Sequence, residues 1–248
     1  MEGDAYLGEL VAGIIYMLAG TRLVLLGLRT RETPERLLGL SFLFIGLSGV
    51  VYGFAVVELF RPFWTPLNFI ARVAYLPGSM LVAFFTARVF RPNEGWARWL
   101  IWGLGALVVA GVGGSVLSGD LEGFSLDNPG FWLEWIGYTV PFGWAAGEAF
   151  HQYLQARRRV KVGLCEPSVC NRMLLWSLFG VFQFASSVVV ICQYAAFERE
   201  QVWSSTWDLL YSGTITSALI VMWIAFFPPK FYVRWINAGA AKPGSALD

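Results

Sequence analysis

Residues 37–59 read LLGLSFLFIGLSGVVYGFAVVEL, with no charged side chain before Glu58. About 20 apolar residues in a helix cross a hydrocarbon layer of ~30 Å. Arg29, Arg31 and Arg36 precede the run, and Arg61 and Pro62 close it. An uncharged helix-length stretch bounded by arginine and proline reads as a membrane span.

Working outward, six further stretches have the same character, near 6–28, 68–90, 97–118, 131–156, 173–196 and 205–227. Breakers fall between them at Pro34, Pro66, Pro92, Pro129, Pro167 and the pair Pro228–Pro229. Pro77 and Pro141 lie inside spans, where neighbouring helices satisfy the freed backbone. Composition agrees. Apolar residues make up 56% of the 248 and charged residues 14%, against a usual charged share of ~25%. So little polar surface cannot clothe a water-facing globule. The expected fold class is an all-α integral membrane protein, a seven-transmembrane-helix bundle over 1–228, with a cytoplasmic tail over 229–248.

The basic residues gather on alternate connections. Arg29, Arg31 and Arg36 lie after the first span, and Arg88, Arg91 and Arg98 after the third. Arg157, Arg158, Arg159, Lys161 and Arg172 flank the fifth connection, and Lys230, Arg234 and Lys242 lie in the tail. Arg61 and Arg199 are the basic residues on the opposite side, where Glu2, Asp4, Glu9, Asp120, Glu122, Asp127, Glu198 and Glu200 cluster. The positive-inside rule then places the N-terminus outside and the C-terminus in the cytoplasm of a cell membrane. The N-terminus MEGDAYLGEL lacks the basic region of a cleavable signal peptide. After the seventh span, PPKFYVRWI interleaves aromatic and basic residues, the pattern of a short interfacial helix or an aromatic belt with basic anchors. Formal net charge is +1, so no bulk field points to nucleic acid.

Ionisable side chains within spans are costly, so each is a functional candidate. An outer group comprises Arg72, Glu58, Glu134 and Asp208, with Asn68 and Tyr211. Any of the three carboxylates is placed to neutralise Arg72. The group reads either as a pocket for a small polar ligand or ion, or as an ion-pair latch on helix ends. An inner group comprises Arg22, Glu148 and His151, with Gln183. Arg22 lies roughly 10 Å from the cytoplasmic end of its span, and Glu148 at a similar depth. An Arg22–Glu148 pair is therefore expected, serving as a buried polar relay or as a structural charge pair.

Glu148-x-x-His151 has the spacing of half a carboxylate di-iron site, but the chain holds 1 His, and no metal site is expected. Cys165, Cys170 and Cys192 make no disulfide scaffold. Phosphate loops, zinc-protease motifs and nucleophile elbows are absent, and no catalytic residue is expected. Gly49-x-x-x-Gly53 and Gly143-x-x-x-Gly147 suit close helix contacts. A faint repeat relates Arg36…Ser41 to Arg172…Ser177.

The stretch Ala71-Arg72-Val73-Ala74-Tyr75-Leu76 resembles the Ala-Arg-Tyr-Ala-Asp-Trp segment of microbial rhodopsins. Tyr75 stands where those proteins carry the counter-ion carboxylate, and Thr206–Phe227 contains no Lys, so no retinal Schiff base forms there. No cofactor is predicted. The 12 Trp leave room for a bound lipid or hydrophobic pigment, and a Trp-rich core explains them equally.

Two functions remain. One is a receptor-like sensor or complex subunit without enzyme chemistry, meeting membrane lipid and a protein partner at Arg157, Arg158 and Arg159. The other is a small-solute or ion transporter, or a channel, built on the buried charges.

Overall fold

The computed structural model describes residues 2–55, 57–121, 126–200 and 205–240. Every regular element among them is helical: α1 (Glu2–Thr30), α2 (Thr33–Ala55), α3 (Trp64–Phe90), α4 (Gly95–Ser118), α5 (Pro129–Lys161), α6 (Pro167–Glu200), α7 (Ser205–Phe226) and α8 (Lys230–Ala240). A short 3-10 helix, Glu58–Phe63, joins α2 to α3 and carries Pro62. Helices keep every backbone bond inside the segment, as hydrocarbon demands. The ends are set locally. Pro129 occupies the first turn of α5, where the Asn128 side chain accepts from the Gly130 N–H at 2.8 Å. Gly119, at φ 75°, closes α4 in the left-handed conformation that glycine adopts freely.

Among the described residues, six helices are long and apolar enough to cross a membrane: Leu10–Thr30 within α1, α2, α3, α4, Pro167–Ala196 within α6, and Thr206–Phe226 within α7. The expected fifth span is the exception. α5 carries Glu134, Glu148 and His151 along its length, and their polarity takes it below the hydropathy of a lipid-facing helix. It nevertheless packs lengthwise against α3, α4 and α6.

The helices form a ring. α1 meets α2 and α7, α2 meets α3, α3 meets α5, α5 meets α6, and α6 meets α7. α4 stands outside the ring against α3 and α5. One end of the bundle holds the α2–α3, α4–α5 and α6–α7 connections. The other holds the α1–α2, α3–α4 and α5–α6 connections, α8 and the described basic clusters, and is called the basic end below.

The tightest contact is the α1–α2 hairpin. Gly13, Gly20 and Gly27 recur every seventh residue on α1, and Gly39, Gly46 and Gly53 on α2. A Cβ at Gly20 would stand 2.7 Å from the Gly39 carbonyl oxygen, and one at Gly46 2.7 Å from that of Gly13. A seven-residue spacing keeps both stripes in register across a left-handed antiparallel crossing. Gly53 of the expected Gly49-x-x-x-Gly53 pair takes part, lying against Leu10. Gly143-x-x-x-Gly147 differs from expectation. Gly143 meets the Phe184 ring, and no atom lies within 4 Å of a Cβ built at Gly147.

The basic-side half of the ring is packed solid. Phe42, Phe142 and Phe179 are fully buried and touch edge to face, and Trp176 stacks on Phe179 at 5.0 Å. Ser41 donates to the Gly78 carbonyl across α2–α3 at 2.7 Å, and Ser177 to the Ala146 carbonyl across α6–α5 at 3.0 Å. Both serines bond to a helix interrupted by proline, but α2 bonds to the helix after it and α6 to the helix before it. Ser41 and Gly78 are both buried, so Ser41→Ala should cost about 1 kcal/mol, read as a lowered thermal midpoint in detergent.

The PPKFYVRWI segment runs into a short helix, α8. Tyr232 bonds Asn171 of α6 at 2.9 Å, while Lys230 and Arg234 share one exposed side and Phe231 and Trp235 another.

Candidate functional site

A cavity of about 300 Å³ opens in the half of the ring away from the basic end. Its wall takes residues from α1, α2, α3, α5, α6 and α7. Five members of the expected outer group line it together: Asn68, Arg72, Glu134, Asp208 and Tyr211. Glu58 lies in the 3-10 helix, and its side chain is outside the described residues.

Of the three candidate carboxylates, Glu134 bonds Arg72. The guanidinium also donates to Ser115 Oγ at 3.3 Å and to the Leu121 carbonyl at 3.1 Å. Ser115 donates to the same Glu134 oxygen at 3.0 Å. Both ions are buried, and the α4–α5 geometry explains how. A Cβ at Gly111 would stand 2.7 Å from the Glu134 nitrogen, so only a glycine lets α5 approach α4 here. The Tyr138 hydroxyl donates to the Arg72 carbonyl at 3.2 Å, tying α5 to α3. Asp208 takes a different partner, accepting from Gln193 Nε2 at 2.8 Å between α6 and α7.

The lining is dominated by tyrosine. Tyr16, Tyr52, Tyr75, Tyr138, Tyr194 and Tyr211 all border the cavity, from 9 Tyr in the chain. Tyr75 and Tyr138 meet edge to face at 5.3 Å, and Trp135 donates from its indole to the Ser187 carbonyl at 3.3 Å. The bulk aromatic content hides this signal: sorted by depth, Tyr52, Tyr75, Tyr138, Tyr194 and Tyr211 fall toward one end of their spans, with Tyr16 near the middle.

The cavity ends on the packed aromatic core, for Tyr16 and Ile45 belong to both the lining and the core. Two polar atoms in this wall have no hydrogen-bond partner among the described residues: Thr139 Oγ1 and Gln183 Oε1, both buried. Each such group costs about 1–3 kcal/mol when left unsatisfied.

The inner group does not assemble. Arg22 is exposed, with its guanidinium 4.1 Å from the centre of the Phe227 ring. Glu148 is bonded instead by Arg91 Nε at 2.8 Å and by Trp144 Nε1 at 3.2 Å. The hydrogen bond and then the charge of Glu148 raise the Arg91 pKa above its ordinary value. His151 is exposed and bonded to Gln155 at 2.8 Å. Gln183 belongs to the cavity on the other side of the core. The expected Arg22–Glu148 pair fails because α1 and α5 are not neighbours in the ring. Arg157, Arg158 and Arg159 are exposed at the C-terminal end of α5, and the three cysteines are free thiols.

In comparisons with protein families, curated proteins and solved structures, nothing matches this chain.

Proposed function

We propose that this chain is a receptor-like membrane protein, N-terminus outside and C-terminus cytoplasmic, that binds a small ligand in the cavity and acts through a protein partner. The observation that carries the reading is the cavity itself. Its wall draws on six helices, and it borders the aromatic core through Tyr16 and Ile45. A half-buried pocket lined by aromatic side chains with a few convergent polar groups is the usual form of a small-molecule site. α5 counts as the seventh span in this reading. It runs beside α4 and α6, and Glu134 and Glu148 are buried against α3 and its C-cap Arg91.

The partner surface is the exposed Arg157–Arg159 run where α5 passes beyond the bundle. At 1.5 Å per residue, 33 residues of α5 reach about 50 Å, well past a ~30 Å hydrocarbon layer. Purification from the producing membrane in mild detergent should retain a second protein in fixed ratio. Changing all three arginines to Gln should release it. Recovery of the chain alone, both before and after that change, rejects the partner.

A transporter is the second reading, favoured by one observation. Glu148 Oε2 is buried without a hydrogen-bond partner among the described residues, on the basic side of the core, opposite the cavity. Alternating access would then open the aromatic core between the two polar regions. Proteoliposome uptake that falls severalfold in Glu148→Gln, with the fold intact, would favour this reading over the first.

A further inference from the structure

We propose that the cavity selects a small organic cation, a protonated amine carrying an aromatic or compact apolar body. The inference rests on the ligand-binding reading above and names the chemical class of the ligand.

Three independent features of the wall converge on it. The first is the tyrosine lining. An aromatic face carries negative quadrupolar charge, attracts ammonium groups and repels carboxylates. Six of the residues bordering the cavity of about 300 Å³ are tyrosines, drawn from α1, α2, α3, α5, α6 and α7.

The second is the charge of the lining. It contains two carboxylates, Glu134 and Asp208, and one guanidinium, Arg72. Arg72 is held within the wall by Glu134, Ser115 and the Leu121 carbonyl, so its charge is met before any ligand arrives. With Arg72 and Glu134 paired, the formal charge of the lining is that of Asp208, which itself accepts from Gln193 Nε2. An anionic ligand meets that field unfavourably, whereas an ammonium group gains from it in a low-dielectric site.

The third is the buried acceptor. Gln183 Oε1 has no donor among the described residues. An N–H group of an amine supplies the missing donor, and a carboxylate ligand supplies none. The Thr139 hydroxyl, also without a partner, sits on the neighbouring α5 wall and accepts or donates as the ligand requires.

The test uses the full chain in lipid nanodiscs, titrated calorimetrically at neutral pH with three probes sharing one ring. Phenethylamine is cationic, 2-phenylethanol neutral and phenylacetate anionic. Phenethylamine should bind saturably, with the alcohol and the acid weaker by about tenfold or more. Asp208→Asn and Gln183→Leu, with the fold intact by circular dichroism, should each weaken the amine by about three- to tenfold. If the alcohol or the acid binds as well as the amine, the cation is overturned and the ligand-binding cavity stands. If no probe saturates, the cation is also overturned, while partner retention at Arg157–Arg159 decides the receptor reading separately.

Discussion

Gly46→Leu should abolish recovery of folded, monodisperse protein, and Gly46→Ala alone should lower stability by about 1–3 kcal/mol. The reason is the distance between backbones in the α1–α2 hairpin. A Cβ at Gly46 would stand 2.6 Å from Met17 Cγ, 2.7 Å from the Gly13 carbonyl oxygen and 2.8 Å from the Met17 nitrogen. Met17 Cγ is flexible and can move, but the two backbone atoms yield only if the helices separate. Separation here also opens the contacts at Gly13, Gly20 and Gly39, because the stripes are continuous. In lipid these packing contacts are a main source of helix association, since the tails are as apolar as the side chains. The control is Gly103 on α4, where a new Cβ meets nothing within 4 Å. Gly103→Ala should be neutral or stabilising by up to about 1 kcal/mol, through the loss of glycine's backbone freedom. Thermal unfolding of the two alanine variants in one detergent checks the pair. Equal midpoints for Gly46→Ala, Gly103→Ala and the parent would reject the close hairpin.

What the sequence disclosed depended on how many coordinates a residue's placement needs. Helix runs need one, position along the chain, and the apolar stretches located the long helices α1 to α7. Depth is also one coordinate, and it sorted Asn68, Arg72, Glu134, Asp208 and Tyr211 to one end. Pairing needs a second, the order of helices around the ring. Arg72 and Glu134 meet because α3 and α5 are neighbours as well as level. Arg22 and Glu148 are level but sit on helices that do not touch. Arg91 was assigned to a connection because it follows the last apolar residue of α3, yet as the C-cap of that helix it reaches Glu148. The glycine stripes follow period seven, which the Gly-x-x-x-Gly spacing of four does not reveal. α5 reads as polar because Glu134 of the site shares the helix with Glu148 and His151, which lie outside it.

Glu134→Ala should cost about 3–5 kcal/mol, the usual penalty for stripping a buried ion of its partner. Arg72 would keep the Ser115 hydroxyl and the Leu121 carbonyl, two neutral acceptors for a guanidinium with only 9% of its surface exposed. Glu134→Gln should cost less, because the amide oxygen still accepts from Arg72 and Ser115 while the charge is lost. The informative variant is the double one. Arg72→Met with Glu134→Met removes both ions and fills much of the same volume with apolar, adaptable side chains. Buried ion pairs often lose little when replaced whole, because their desolvation cost disappears with them. The double variant should therefore recover most of the stability that Glu134→Ala loses, measured by thermal unfolding in the same detergent. It should not recover the shape of the cavity wall, since Tyr138 lies 3.5 Å from Glu134 Oε2 and would lose that neighbour. Stability and ligand affinity then separate. A folded double variant with weakened phenethylamine binding identifies the pair as the frame of the site. A double variant as unstable as Glu134→Ala would mean that Arg72 and Glu134 act independently, and that the latch between α3, α4 and α5 lies elsewhere.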